Sequence, residues 1–533
     1  MSVIKSRFPD VDIPSNISLA DFVFEHFDKY GDSEALVDAA SGRSYTFAQV
    51  RGLSRRIGSA LTRKGFKKGD VFAIYSPNLP EYLLTFYGVV SIGGIVTTTN
   101  PLYTTDELAK QLEHAGASYV VTVPPFAPKA LKAKDKVDKI KDVRFGEAEG
   151  CKPFASLLQD DGGAFPQDLV INDDDVAVLP YSSGTTGLPK GVQLMHKNLV
   201  SVVMQTLSPN FSQEGKPGKT VLGLLPMYHI FGMVGGAVYL RQGYKIAIMM
   251  KFEPGIFLKT LQDYKVYHAD LVPPLVIFLC KNPVVDKFDL SALHDVSVGA
   301  APLGAELTGA LLKKFPNLVT LQQGYGLTET SPSVTITPVT DKELVHGSAG
   351  CVVPNTEIKI VDTQTGEPLP ANSNGELLVR GPQVMKGYLN NPEATAATID
   401  KEGFLHTGDL AYYREDGYIF IVDRLKELIK YKGNQVAPAE LEALLLTHPS
   451  VADAAVIGIP DEEAGELPKA FVVKKGDAEI TEEELTKFVA EKVAPTKKLR
   501  GGVEFVSSIP KNPSGKILRR QLKEQAIKKL QEK

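Results

Sequence analysis

Tryptophan is absent from the 533 residues, and cysteine occurs only three times, at Cys151, Cys280 and Cys351. An odd set of widely spaced thiols supplies neither a disulfide framework nor a zinc ligand set, and it suits a reducing compartment. Without tryptophan, stacking on a ligand falls to phenylalanine and tyrosine. An excess of one charge is also missing: the formal net charge is −4, which leaves no basic footprint for nucleic acid. No apolar run is long enough to cross a bilayer. The most apolar stretch, "LVPPLVIFLC" (Leu271 to Cys280), is about half a membrane span and contains two prolines, which suits a buried strand or a helix start. The opening "MSVIKSRFPDVDIP" has no apolar signal-peptide segment and the ending "KKLQEK" is not the peroxisomal S-K-L address, so a cytoplasmic chain is expected. Internal repeats are absent too.

What is present is a chain too long for one ordinary core, so at least two domains are expected. "DVFAIYSPN", "LPEYLLTFYGVVSIGG", "IVTTTNP", "TTDELAKQLEHAGA" and "SYVVTVP" alternate strand and helix patterns, the second helix opening on the capping box Thr104-x-x-Glu107. That alternation points to parallel strands with helices on both faces. From about Asn355 the texture changes to short strands, "TEIKIVD", "GELLVRG", "DLAYYRE" and "GYIFIVD", and a β-rich, barrel-like subdomain is expected. Beyond Arg424 a small α+β unit follows, with a helix from Pro438, strands "AAVIGIP" and "KAFVVKKG", and a helix capped by Thr481 and Glu484. The fold class is therefore α/β: a large N-terminal domain over 1–422 and a small α+β domain over 423–533, hinged at Asp423-Arg424-Leu425. The charged run "KALKAKDKVDKIKDV" (Lys129 to Val143) reads as a solvated helix face, because its apolar side is thin and aspartates interrupt the lysines.

One stretch looks built for phosphate. In "YSSGTTGLPKG", Ser182, Ser183, Thr185 and Thr186 offer hydroxyls, Gly184 and Gly187 permit a tight anion nest, and Lys190 adds a mobile charge. It directly follows an apolar strand, where α/β sheets place ligands. The Walker pattern G-x-x-x-x-G-K-[ST] is not met, since Pro189 stands five residues after Gly184.

That stretch resembles the signature loop of the acyl-adenylate-forming superfamily, which includes acyl-CoA synthetases, 4-coumarate–CoA ligases, beetle luciferases and peptide-synthetase adenylation domains. The likeness continues in order through "LPMYHIFGM", "VGAAPLG", "QGYGLTET", "GELLVRGPQVMKGYLNNPEAT", "HTGDLAYYREDGYIFIVDRLKELIKYKGNQVAPAELE" and "IPKNPSGKILRR". The texture is most similar to that of 4-coumarate–CoA ligase-like enzymes. The resemblance implies a carboxylate–CoA ligase: a carboxylate attacks the α-phosphorus of ATP and expels pyrophosphate, then the thiol of coenzyme A displaces AMP. Mg²⁺ is the implied cofactor and a small carboxylic acid, ATP and CoA the implied partners, with a monomer expected.

Carried over residue by residue, the resemblance implies that the loop grips the departing phosphates. Gln323, Gly324 and Tyr325 would frame adenine, Thr328 would donate to the α-phosphate, and Glu329 would hold Mg²⁺ through oxygen. Asp409 and Arg424 would meet the ribose. Lys516, in "NPSGKILRR", would contact carboxylate and α-phosphate during adenylation, whereas Lys432 and Gly433 would serve the thioester step with Lys251. One small domain cannot present both faces to one cleft at once, so a rotation at the hinge is expected. His229 would orient the carboxylate or deprotonate the thiol, a role suited to a near-neutral imidazole.

By the same resemblance Phe231, Gly235, Gly299, Ala300, Pro332 and Val334 would line the acyl pocket, with Ala301 near its mouth and Lys426 and Lys430 near the adenylate. Phe231 stands where hydroxycinnamate users typically carry tyrosine, and Gly235-Gly236 remove bulk. A more apolar acid is therefore expected, a medium- or long-chain fatty acid or an aromatic acid without a phenol. An adenylation module loading a carrier protein is disfavoured because no carrier domain follows Arg520. A luciferase-like monooxygenase is disfavoured by Pro332-Ser333, which stand where luciferases carry a Ser-Ala pair.

Overall fold

The computed structural model describes residues 3–145, 152–182, 189–212, 215–301, 303–341, 343–432, 434–476, 478–512 and 515–531. The first of two nine-stranded sheets grows from β1 (Val71–Tyr75), α1 (Pro80–Val90), β2 (Ile95–Thr98), α2 (Thr105–Ala115), β3 (Ala117–Thr122) and β4 (Val176–Leu179). Strands β4, β2, β1 and β3 lie side by side in parallel, and β5 (Lys190–Met195) joins β4 antiparallel. All five residues of β1 are buried, as expected of a parallel strand covered on both faces. Helix α2 starts at Thr104, whose side chain and that of Glu107 form the capping box, and it stops at Gly116, whose φ of 67° only glycine adopts cheaply.

After α3 (His196–Thr206) comes the second sheet: β6 (Thr220–Gly223), α4 (Ile230–Arg241), β7 (Lys245–Ile248), β8 (Val266–Leu271), α5 (Pro273–Lys281), β9 (Asp295–Val298) and β10 (Thr320–Gly326). Its parallel strands run in the order β10, β9, β8, β6, β7, and β11 (Ser333–Ile336) adds antiparallel to β10. One cluster of buried side chains from α1, α3 and α4 joins the two sheets. "LVPPLVIFLC" spans a strand end and a helix start: β8 closes at Leu271 and α5 opens with Pro273 in its first turn.

The β-rich region forms an antiparallel, curled half-barrel sheet of β12 (Glu357–Val361), β13 (Gly375–Arg380), β14 (Leu405–Tyr413) and β15 (Ile419–Arg424), edged by Ile4–Lys5. The C-terminal domain contains α6 (Pro438–Leu446), the long hairpin β16 (Val451–Asp461) and β17 (Gly465–Lys474), α7 (Glu482–Ala490) with its Thr481 capping box, and α8 (Arg519–Gln531). It has its own apolar core around Leu441, Leu445, Val472 and Leu485.

One expectation is corrected. The run from Lys129 to Val143 is not one helix: the helix covers Ala127–Lys134, and Asp142–Phe145 is a strand of the first sheet. The helix's inward side is made of Ala127, Ala130 and Ala133, all buried, and beyond the helix Val137 and Ile140 are buried in the same core cluster as Ala130 and Ala133. Among the described residues no helix is long and apolar enough to cross a membrane. Cys280 and Cys351 are free thiols, and Cys151 lies outside the described residues.

Candidate active site

A cavity of about 190 Å³ opens at the C-terminal ends of β8, β9 and β10, the end of a parallel sheet where the strand order leaves room for a ligand. Its rim carries His229, Gly324, Tyr325, Thr328 and, from the C-terminal domain, Lys516. Phe231, Gly235, Gly299, Ala300 and Pro332 form its walls.

The rim is shaped by backbone first. Gly326 approaches the next loop so closely that a Cβ there would sit 1.6 Å from the carbonyl oxygen of Pro332, which no other residue could tolerate. Gln323 is buried and ties the rim together: its Oε1 accepts from the amide of Leu303 at 3.0 Å, and its own amide donates to Thr337 Oγ1 at 3.0 Å. Thr328 opens the short 3₁₀ turn that carries Glu329. Oε1 of Glu329 accepts from Ser182 Oγ at 2.9 Å and from Tyr388 Oη at 3.0 Å. Lys190 projects over the Tyr388 ring, 4.6 Å from its centre. Ser182, Lys190 and Glu329 therefore meet around one tyrosine, while Ser183, Gly184, Thr185, Thr186 and Gly187 lie outside the described residues.

Tyr325 donates from its hydroxyl to Asp409 Oδ2 at 2.5 Å, and Arg424 Nε lies 3.7 Å from Asp409 Oδ1. Asp409 and Arg424 face each other in the register of β14 and β15. Burial raises the Asp409 pKa, with Arg424 the main opposing influence. A ribose reaching Asp409 would exchange its hydroxyls for that of Tyr325.

Lys516 enters from a turn in which its backbone N–H donates to Asn512 Oδ1 at 2.9 Å and its carbonyl accepts from the Asn512 amide at 2.9 Å. Gly515, at φ 81°, seats that turn against Pro274 and Val272 of the body. Burial, followed by the nearby Arg424 charge, lowers the Lys516 pKa to about 8. At neutral pH it is still mostly an ammonium, with Asp409, Glu329 and Glu427 near enough to oppose that lowering. His229 caps α4 without using its side chain, so the imidazole is free to face the cavity. Burial, then the Lys516 charge, pushes its pKa down to about 4. This corrects the near-neutral base: in the present arrangement His229 is a neutral imidazole at pH 7, suited to hydrogen bonding and poorly suited to taking a thiol proton.

Two further expectations change. Val334 is fully buried in the half-barrel core beside Ile358, Leu377 and Val379 and does not face the cavity; Ser333 and Ile336 do. The acyl chamber is also not apolar throughout, since Tyr239, His268, Asp270, Asp295, Ser297 and Gln322 line it. The bareness of Gly235 opens onto a carboxylate: a Cβ there would meet Asp270 Oδ2 at 3.1 Å. Gly299 is filled by the Phe231 ring, 2.7 Å from where its Cβ would stand. Polar residues at i, i+2 in "VYHADL" and "HDVSV" were the available signal, because a strand covered on both faces should be apolar at those positions.

The remaining candidates are not brought to the cavity. Lys426 does not line the cavity but flanks the Asp409–Arg424 pair, where partial burial and then the Arg424 charge lower its pKa. Lys430 is exposed on the segment leading into the C-terminal domain, Lys251 is exposed beyond β7, and Ala301 is exposed beyond the cavity wall. Lys432, at φ 46°, is exposed on the small domain away from the cavity that Lys516 enters, and Gly433 lies outside the described residues. Behind the cleft Asp423 accepts from the amides of Arg424 at 2.7 Å and Ala439 at 2.9 Å. Arg519 links Glu427 at 2.5 Å to Glu442 at 2.7 Å. Arg519 and Glu427 both fall in motif segments, but those segments gave neither a role, because their pairing crosses 92 residues of chain.

The arrangement is one cleft at the strand ends, walled by the N-terminal domain and entered by Lys516 from the C-terminal domain. Comparison with known proteins agrees with it. Residues 23–389 match the AMP-binding enzyme family, and residues 440–516 match the AMP-binding enzyme C-terminal domain. The chain is 46% identical over 531 residues to 4-coumarate–CoA ligase 1 of Petroselinum crispum, covering 98% of this chain and 96% of that one. The ATP-bound structure of MatB from Rhodopseudomonas palustris superimposes with a TM-score of 0.86 at 28% identity, over 96% of this chain and 99% of that one. The anthranilate CoA ligase AuaEII with anthranoyl-AMP gives a TM-score of 0.87 at 25% identity, over 97% and 98%. The chain belongs to the AMP-binding enzyme family.

Proposed function

We propose that this protein activates an aromatic carboxylic acid and that the residues gathered at the cleft divide its two half-reactions between them. It is an ATP-dependent acid–thiol ligase working through an acyl adenylate. The observation that carries the site assignment is the presence of Lys516, from the C-terminal domain, in the same cavity as His229, Phe231 and Thr328. A carboxylate approaching the α-phosphate of ATP brings anion against anion, and a desolvated ammonium at that point offsets the repulsion. Lys516 takes that role, Thr328 donates to the α-phosphate, and neutral His229 donates to or orients the acid.

Ser182, Lys190 and the hydroxyls and amides of 183–187 receive the departing pyrophosphate, and Asp409 and Arg424 hold the ribose. Glu329, whose Oε1 is fixed by Ser182 and Tyr388, would hold Mg²⁺, which supplies charge neutralisation for the phosphates when bound. One carboxylate suffices for that ion, which takes its other ligands from phosphates and water. The aromatic assignment follows the full-length likeness to 4-coumarate–CoA ligases and takes the aromatic branch of the expected fatty or aromatic acid, since a fatty chain would desolvate the polar floor without pairing it.

In the second step the sulfur of CoA attacks the acyl carbon and AMP leaves with the bonding pair. Lys432 and Gly433 serve this step after the 423–533 unit rotates against 1–422 about Asp423-Arg424-Leu425, carrying Lys516 out of the cleft. Its departure also removes the charge that helps to depress the His229 pKa. Acid-dependent exchange of radiolabelled pyrophosphate into ATP, followed by mass detection of the thioester, tests the reading. Exchange with aromatic acids and a thioester only when CoA is added support it; no pyrophosphate release from any acid overturns it.

A further inference from the structure

The face of the second sheet that looks onto α4 is built unlike the rest of the core. Strands β8, β9 and β10 place Asp270, Ser297 and Gln322 side by side in register, and two residues deeper His268, Asp295 and Thr320. The two layers are about 6.6 Å apart at 3.3 Å per residue. All six line the cavity. Across from them α4 offers Gly235 to the upper layer and Tyr239 to the lower, whose Oη lies 2.7 Å from His268 Nε2. His268 Nε2 is 3.2 Å from Asp270 Oδ1 and 3.4 Å from Ser297 Oγ.

A structural role alone leaves this floor unbalanced. Two carboxylates face one cavity; Asp270 meets the neutral hydroxyl of Tyr239 and also His268, the only basic side chain in ion-pair range of it among the described residues. Among the described residues the sole lysine on the cavity wall is Lys516, at the opposite end, and no arginine lines it. Asp295 is 8% exposed, and its Oδ1 has no hydrogen-bond partner among the described residues. Burying one oxygen of a carboxylate without a partner is costly, and such an atom calls for a ligand or water to complete it. At Gly235 the helix withholds even a methyl group from Asp270 Oδ2, so that oxygen stays open to whatever fills the chamber.

We infer that this floor is a recognition site for a cationic amino group at the far end of the acid substrate. The inference rests on the ligase reading above and specifies its substrate class. An ammonium has donors and no acceptor, which matches a floor rich in acceptors and carrying two carboxylates. The reach is set by α4: Gly235 lies six residues beyond His229, about 9 Å at 1.5 Å per residue. An acid with its amine about that far from its carboxylate, such as a cinnamate bearing a 4-aminomethyl group, spans the distance with its ring between Phe231 and Pro332.

The test is a matched pair, 4-(aminomethyl)cinnamate and 4-ethylcinnamate, compared by kcat/KM for thioester formation, with 4-coumarate and octanoate as further arms. The amine is expected to exceed its ethyl counterpart at least tenfold in the native protein. Asp270→Asn should cut that ratio at least tenfold, Asp270→Leu should invert it, and Asp295→Asn should lower it by a smaller factor. Equal or better use of 4-ethylcinnamate overturns the inference, as does turnover of 4-coumarate at least tenfold above the amine, or a ratio untouched by Asp270→Asn. In each of those results the ligase reading still stands. If none of the four acids yields pyrophosphate, the ligase reading itself has failed and the inference falls with it.

Discussion

The two nine-stranded sheets share one architecture and opposite chemistry. In the first, β1 reads Val-Phe-Ala-Ile-Tyr and every side chain is buried among apolar neighbours. In the second, β8 and β9 carry His268, Asp270, Asp295 and Ser297 on one face and Ala269, Leu271 and Val296 on the other. A parallel sheet needs apolar cover on both faces to hold together. Where polar groups interrupt that cover beside a cavity, the sheet has given up packing to face a ligand.

Exchanging the chemistry of the sheets is the strongest way to break this contrast. Ala73→Asp in β1 buries an unpaired carboxylate and should cost about 3–5 kcal/mol, enough to lose most folded protein. Asp270→Leu should leave the melting temperature unchanged or raise it. Thermal melts of the two variants side by side check this, and equal destabilisation would erase the distinction.

Lys516→Ala should lower pyrophosphate exchange by about 10²–10³-fold while thioester formation from supplied acyl adenylate persists. Comparable losses in both half-reactions would remove the division of labour between the two faces of the small domain.

Histidines sharpen the same contrast. His196 and His229 are both driven down to about 4, chiefly by burial, yet only His229 faces the cavity. His196 is 1% exposed, and its Nδ1 accepts from the Leu19 amide at 3.0 Å. The unfolded chain takes up this proton near pH 6.5 and the folded one only near 4, so stability is full above 6.5 and falls with acidification. The loss is about 3 kcal/mol across that window. Urea unfolding at pH 7 and pH 4.5 should show it, and His196→Gln should flatten the slope.

The smallest effect expected is a pH limb. Lys516 loses its proton above about 8, so kcat/KM for adenylation should fall about tenfold per pH unit beyond that point, and Lys516→Arg should flatten the decline.

The alternation of strands and helices, the Thr104 and Thr481 caps and the change of texture near Asn355 were legible because each depends on neighbours within a few residues. The rim motifs were legible for a similar reason: Gly326 and Gly515 are conformational demands written into short turns. Val334 was misassigned because a strand's pattern states that two faces exist without saying which one meets a cavity. The 129–143 run differs from a single solvated helix because its helix stops at Lys134 and Val137 and Ile140, beyond that end, are buried with its alanines.

The alternation of strand and helix patterns in the sequence therefore determined the class of fold, and the ordered motifs shared with acyl-adenylate-forming enzymes pointed to Lys516, the lysine that reaches the cleft. The polar floor, the depressed basicity of His229 and the link that Arg519 makes between Glu427 and Glu442 were decided by tertiary structure alone. Burial and charge proximity are properties of space, and residues as far apart in the chain as Gly235 and Asp270, or His229 and Lys516, acquire them only when the chain has folded.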